Sequence, residues 1–200
     1  MSSNDLAAMA GAEQPRTLGL RTPGQWSMWV FVLGDMFIFA GWFAFYMHFR
    51  MRDPDLYLRS QQALDQTFGV VNTLILLFSS WAIARCVDAT QRKLHDKAVR
   101  YTWMAIISGL LFVGVKVFEW ASEIRAGHAF ESNYFFMFYF FLTGVHVFHV
   151  LIGLIALGVV VRELWTPEFR SQEVVESCAT YWHMVDFLWV IIFALLYLMR

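Results

Sequence analysis

The chain has 200 residues, of which 58% are hydrophobic and only 16% charged, with a formal net charge of −1. A soluble domain sits nearer half apolar and a quarter charged, so the balance points to a membrane protein. The near-neutral charge, with no large basic patch, excludes nucleic-acid binding.

The first 25 residues, Met1 to Gln25, are polar and have no apolar centre. They are expected to form a cytoplasmic tail rather than a cleavable signal peptide. Five long apolar stretches follow, roughly Trp26–Met47, Phe68–Ala84, Tyr101–Phe118, Tyr134–Val161 and Cys178–Met199. A hydrocarbon core about 30 Å thick needs about 20 helical residues, and isolated strands cannot satisfy their backbone groups in lipid. The predicted fold is therefore all-α, a polytopic bundle of five transmembrane helices over residues 26–200. Trp26, Trp29, Trp81, Trp120, Tyr134, Trp165 and Tyr197 fall near the predicted ends, as an aromatic belt requires. The longest connection, between the first two spans, reads as a polar loop holding Arg50, Arg52, Asp53, Pro54 and Arg59. Thr166-Pro167 ends the fourth span, because proline cannot continue a helix interior.

Five crossings put the tail and the second and fourth connections on one side, with nine Lys and Arg against five on the other. The positive-inside rule then expects the N-terminus in the cytoplasm and the C-terminus outside. Cys86 and Cys178 show neither zinc spacing nor a CxxC pair and read as free thiols near the cytoplasmic face. Gly34, Gly41, Gly109, Gly114, Gly144, Gly153 and Gly158 recur in the spans, where small residues allow close helix approach.

Ionisable groups within a span are costly and are functional candidates by default. Asp35 stands about 14 Å inside the first span at 1.5 Å per residue. It reads either as a proton-handling carboxyl or as a helix–helix hydrogen bond. His146 and His149 are three apart, and His183 and Asp186 repeat that spacing on the fifth span. Three readings stand open: a metal site, a bis-imidazole haem site, and a polar network that locks the fourth span to the fifth. Lys116 and Glu119 read as a snorkelling lysine beside an interfacial glutamate, or as a lipid head-group contact. Asn72 and Thr73 add neutral polarity to the second span. No catalytic constellation appears: nucleophile elbow, phosphate loop and H-E-x-x-H are all missing from the sequence.

Taken in order, these motifs resemble subunit III of the haem-copper oxidases. Gly34-Asp35-Met36-Phe37-Ile38-Phe39 followed by Phe43-Ala44-Phe45-Tyr46 is similar to the family's acidic, Phe-rich helix. Asn72-Thr73 through Ser79-Ser80 matches its Asn-Thr start and small-residue finish. Lys116-Val117-Phe118-Glu119-Trp120 is like its Gln-x-x-Glu-Tyr. Gly144-Val145-His146-Val147-Phe148-His149-Val150-Leu151-Ile152-Gly153 is close to His-Gly-x-His-Val-x-x-Gly. Tyr181-Trp182-His183-Met184-Val185-Asp186-Phe187-Leu188-Trp189 is close to Trp-His-Phe-Val-Asp-x-x-Trp. The sequence departs from the family at Asp35, where mitochondrial-type members carry Glu, at Lys116, where Gln is usual, and near Phe148, where Gly is common. Many members have two further helices before these five. Five-helix members resemble the quinol-oxidase branch and the subunit-III-like protein associated with nitric oxide reductase.

The resemblance implies a non-catalytic accessory subunit of a respiratory oxidase that supports stability and proton uptake. It implies no haem, copper or other metal on this chain, haem and copper in a partner catalytic subunit I, and bound phospholipid. Asp35 is then the proton-handling candidate, and His146, His149, His183 and Asp186 form the helix–helix polar network. Asn72, Lys116, Glu119 and Trp182 are the lipid or interface candidates. An accessory protein of nitric oxide reductase is the alternative, and an independent membrane haem protein a more distant one. The location expected is the bacterial inner membrane.

Overall fold

The computed structural model describes residues 26–166 and 171–199. The tail expected over residues 1–25, and Pro167, lie outside the described residues. Within them there are helices and no strands. They are α1 (Trp26–Arg52), α2 (Pro54–Ala63), α3 (Gln66–Gln91), α4 (His95–Arg125), α5 (Tyr134–Trp165) and α6 (Gln172–Phe193). A π-helical turn, Ala194–Leu198, continues α6. Five of these are long and apolar enough to cross a membrane: α1, α3, α4, α5, and α6 with its π turn. The spans match the predicted five in order. They run longer at their polar ends because hydropathy marks depth in the bilayer, whereas the backbone ladder continues beyond it.

The polar connection between the first two spans is not a loop. Residues Pro54–Ala63 form α2, with Arg50 and Arg52 still inside α1. Asp53 is the reason: its side chain accepts from the Leu56 backbone N–H at 3.1 Å, and Pro54 occupies the first helical turn, where its missing N–H costs nothing. Asp65 starts α3 in the same way, accepting from the Thr67 N–H at 2.8 Å. Asn133 starts α5 by accepting from Phe136 N–H at 2.9 Å, and its own amide donates to Ser60 Oγ of α2 at 3.0 Å.

The hydrogen bonds to Thr67 hold the Asp65 carboxyl below its ordinary value of 3.8. A lowered carboxylate stabilises the fold above the unfolded value and loses that contribution as the pH falls through the folded one. Asp65→Ala is therefore expected to cost about 1 kcal/mol at neutral pH. The deficit should shrink below about pH 4, where the unfolded carboxyl takes up its proton. Thermal unfolding of variant and parent at the two pH values checks this.

The helices alternate in direction, so one face of the bundle carries α2, the turn between α4 and α5, and the C-terminal end of α6. This is called the α2 face below. α3 and α4 form a tight hairpin at the opposite face, closed through Lys93 at φ +60°. α6 is the central element, packed on α3, α5 and the rim helix α1. In the apolar stretch of α6, 67% of residues are buried, against 11% in α1. The outward side of α1 presents Phe31, Phe37, Trp42 and Phe45.

Of the glycines expected to permit close approach, two do so. A Cβ on Gly153 would lie 2.7 Å from the Trp182 ring, and one on Gly109 would lie 2.8 Å from it. Gly69 serves the same purpose against Phe193 and Tyr197, at 2.9 Å from each ring. Gly34, Gly41, Gly114, Gly144 and Gly158 have nothing within 4 Å of that position.

Candidate functional site: a buried ionic cluster and a carboxylate–imidazole pair

Lys116 lies about 14 Å from the end of α4, nine residues before Arg125. It is fully buried, and Glu119 nearly so. The lysine Nζ donates to Glu119 Oε2 at 3.0 Å, to Tyr139 Oη at 3.3 Å and to Tyr197 Oη at 2.8 Å. Glu119 Oε1 accepts from Tyr139 Oη at 2.7 Å and from Tyr197 Oη. Nζ also sits 4.7 Å from the centre of the Tyr139 ring and 5.3 Å from that of Trp189. The expectation of a snorkelling lysine or a head-group contact is therefore corrected. The i,i+3 pair points into the bundle, where α5 and the π turn close over it. The matched donors and acceptors around the pair offset the cost of burying it.

Tyr197 was expected in the aromatic belt and belongs instead to this interior cluster. The π turn widens the helix there, and side chains take up the terminal carbonyls. Tyr46 Oη donates to Leu195 O at 3.0 Å, Gln66 Nε2 to Tyr197 O at 2.6 Å and Arg50 to Met199 O.

Asp35 is paired. Its Oδ1 lies 3.2 Å from His149 Nε2, with both side chains about seven-eighths buried. His149 Nδ1 is 2.7 Å from Val145 O, one turn back in α5. Its second nitrogen is thereby aimed at α1, in the manner of a backbone-oriented imidazole. Phe39 packs edge-on against this ring at 5.3 Å.

The proposed four-residue network is not present as one unit: His146, His149, His183 and Asp186 make no hydrogen bond to one another. Positions three apart on a helix differ by about 60° in direction. That is enough to send His149 to α1 and His146 inward against Phe112 and Trp189. His183 Nδ1 meets Ser80 Oγ of α3 at 2.7 Å. The ring nitrogens of His146, both Asp186 carboxyl oxygens and the Asn72 side-chain amide are buried without a hydrogen-bond partner. The histidines are thus divided among α1, α3 and the core, and among the described residues no three His, Cys, Asp or Glu converge as metal ligands. Asn72 and Trp182, expected at a lipid or subunit surface, are both fully buried. The Trp182 indole N–H donates to Ser79 Oγ at 3.0 Å, and its ring fills the gap between Gly109 and Gly153.

Sequence reasoning passed over Tyr139, Glu123 and His128, and took Ser79 only as the small-residue end of a motif. A signal existed for Tyr139: a lysine and a glutamate deep in one span require donors from a neighbouring span, and Tyr139 is a hydroxyl-bearing residue of the next span in the chain.

The five helices long and apolar enough to cross a membrane stand in the order of the motifs that resemble subunit III of the haem-copper oxidases. The chain matches cytochrome c oxidase subunit III over residues 4–200 and belongs to that family, the third subunits of haem-copper oxidases. It is 30% identical to cytochrome c oxidase subunit 3 of Thermostichus vulcanus, over 85% of this chain and 84% of that protein. It is 25% identical to the cytochrome bo(3) ubiquinol oxidase subunit 3 of Pseudomonas aeruginosa, over 86% and 82%. A third relative, the heme-copper oxidase subunit I+III of Aeropyrum pernix, is 23% identical over 86% of this chain, which spans 22% of that longer protein.

Proposed function

We propose that this chain is a non-catalytic subunit that packs beside the haem-bearing catalytic subunit of a respiratory oxidase, stabilises it and assists its proton uptake. The observation that carries this reading is α1. It is the least buried span, it exposes a continuous apolar and aromatic face, and it bears Asp35, paired with the His149 imidazole. Such a face fits lipid or a large membrane partner. The joined I+III name of the Aeropyrum relative supports a catalytic subunit as that partner. Haem and copper reside in the partner, phospholipid fills what the partner leaves open, and the Lys and Arg bias supports a bacterial inner-membrane subunit with its N-terminus in the cytoplasm. The relatives include both cytochrome c and ubiquinol oxidase subunits, so similarity supports the oxidase reading without selecting an electron donor.

Purification of the intact chain in mild detergent is expected to bring with it a catalytic chain carrying haem and copper at stoichiometric level. Recovery of the chain with no haem-bearing partner overturns the reading. The assignment of Asp35 has its own test. Asp35→Asn keeps the size and a hydrogen bond to His149 but removes the titratable group. The complex is expected to assemble normally and to take up protons more slowly during turnover, since a positioned proton-transfer group is lost. Unchanged uptake makes Asp35 a structural tether.

A further inference from the structure

The Lys116–Glu119 pair is electrically closed, because each charge meets the other and two tyrosine hydroxyls supply the remaining hydrogen bonds. One acidic side chain beside it is left over. Glu123 stands one turn further along α4, its side chain 10% exposed, within electrostatic reach of Lys116 and Tyr139. Its carboxyl contacts His128 from the turn after α4, with Glu123 Oε2 2.8 Å from His128 Nδ1. The His128 backbone N–H also donates to the Glu123 carbonyl at 2.9 Å. The imidazole stacks on Phe136, centroids 4.4 Å apart and planes 13° from parallel, which fixes its orientation. Its side chain remains 30% exposed at the α2 face.

The charges count to a definite result. Lys116, Glu119 and Glu123 together sum to −1, and a largely buried anion without a counter-charge is costly. One proton closes the sum, and His128 contacts this carboxyl while its side chain stays 30% exposed. We propose that Glu123 and His128 form a proton-binding site at the α2 face, which takes one proton from the adjacent aqueous phase, holds it between Nδ1 and Oε2, and returns it there. In the loaded state an imidazolium faces a carboxylate. In the empty state the same carboxylate faces a neutral ring, and the cluster carries one negative charge.

Other charged and titratable groups around the site are few. α4 adds Arg125 toward the exterior and Lys116 and Glu119 toward the interior. α5 adds Tyr139, the π turn adds Tyr197, and the turn before α5 adds Glu131. α2 carries Asp55 and Arg59 on the same face of the bundle. Among the described residues, none of these exterior groups makes a hydrogen bond or ion pair to His128 or Glu123. The site does not depend on the role of Asp35 or on which side of the membrane the α2 face lies.

The test uses the full chain in lipid nanodiscs, with infrared difference spectra and 15N-histidine NMR recorded across a titration from about pH 5 to about pH 9, the range in which imidazoles titrate. One imidazole is expected to exchange its proton together with a perturbed carboxylate band, and His128→Gln is expected to remove that imidazole signal. Glu123→Gln preserves the size of the side chain and takes away the anion. It is expected to change the pH dependence of the His128 signal, because the anion that faces the imidazole is gone. Thermal midpoints near that of the parent show that both variants fold, which is expected of a residue in a turn and of an isosteric change. A His128 titration that Glu123→Gln leaves unmoved overturns the proposal. So does a parent protein in which no imidazole signal is lost with His128→Gln.

Discussion

Lys116→Met is expected to destabilise the bundle by about 3–5 kcal/mol, the range for removing one partner of a buried ion pair. Methionine matches the length and flexibility of the lysine stem, so packing is largely kept and the loss is electrostatic. Glu119 is then left as an anion with two tyrosine hydroxyls and no counter-charge, in surroundings 1% open to solvent. Denaturant titration of the purified protein in detergent micelles checks the value. The double variant Lys116→Met/Glu119→Leu distinguishes charge from shape. It is expected to recover most of the loss, because replacing both members of a buried pair by apolar groups is close to neutral. A single variant as stable as the parent would mean that Glu119 is held without help from the lysine.

Trp182→Ala ranks beside it, with an expected cost of about 3–5 kcal/mol for an emptied aromatic site. The ring is fully buried and stands between two glycines from different helices, Gly109 of α4 and Gly153 of α5. Its N–H ties α6 to α3 through Ser79, whose hydroxyl donates onward to the Ala105 carbonyl of α4 at 3.2 Å. Four of the five spans therefore meet at one side chain, and its loss should loosen all of them together. Trp182→Phe retains a ring while abolishing the hydrogen bond, and is expected to cost only about 1 kcal/mol. Equal losses in the two variants would assign the effect to the hydrogen bond rather than to the volume.

The membrane class, the number of spans and their order were legible in hydropathy, because apolar runs of bilayer length permit no other solution. The short helix α2 was not read, although the Asp53-Pro54 start carried the signal: it is too polar to register as a span and too short to stand apart from its loop. The family motifs located the chemically important side chains, but not whom they face. His146 and His149 share a motif and diverge to different helices. Lys116 and Glu119 were placed at a lipid boundary because a one-dimensional reading sees distance from a helix end. It does not see that a π turn from the last span folds Tyr197 over them. The same limit applies to Trp182, where the observation needed was the pair of glycines contributed by two other helices.

The attachment of α1 bears on how the chain is made. Its span leaves the ribosome before the other four, yet its polar ties reach far along the sequence. Tyr46 binds the Leu195 carbonyl and Arg50 that of Met199, each at a separation of 149 residues, and Asp35 meets His149 114 residues on. Contacts this distant must wait until α5 and α6 have been synthesised, and forming them closes a long loop at an entropic cost. α3 and α4, joined by a three-residue turn, can pair as soon as both are inserted. Assembly of the subunit is thus expected to run outward from that hairpin, with α1 the last of the five spans to dock. During that interval its aromatic face and Asp35 are open to whatever the membrane offers, and a partner that engages α1 then would meet it before its own bundle does.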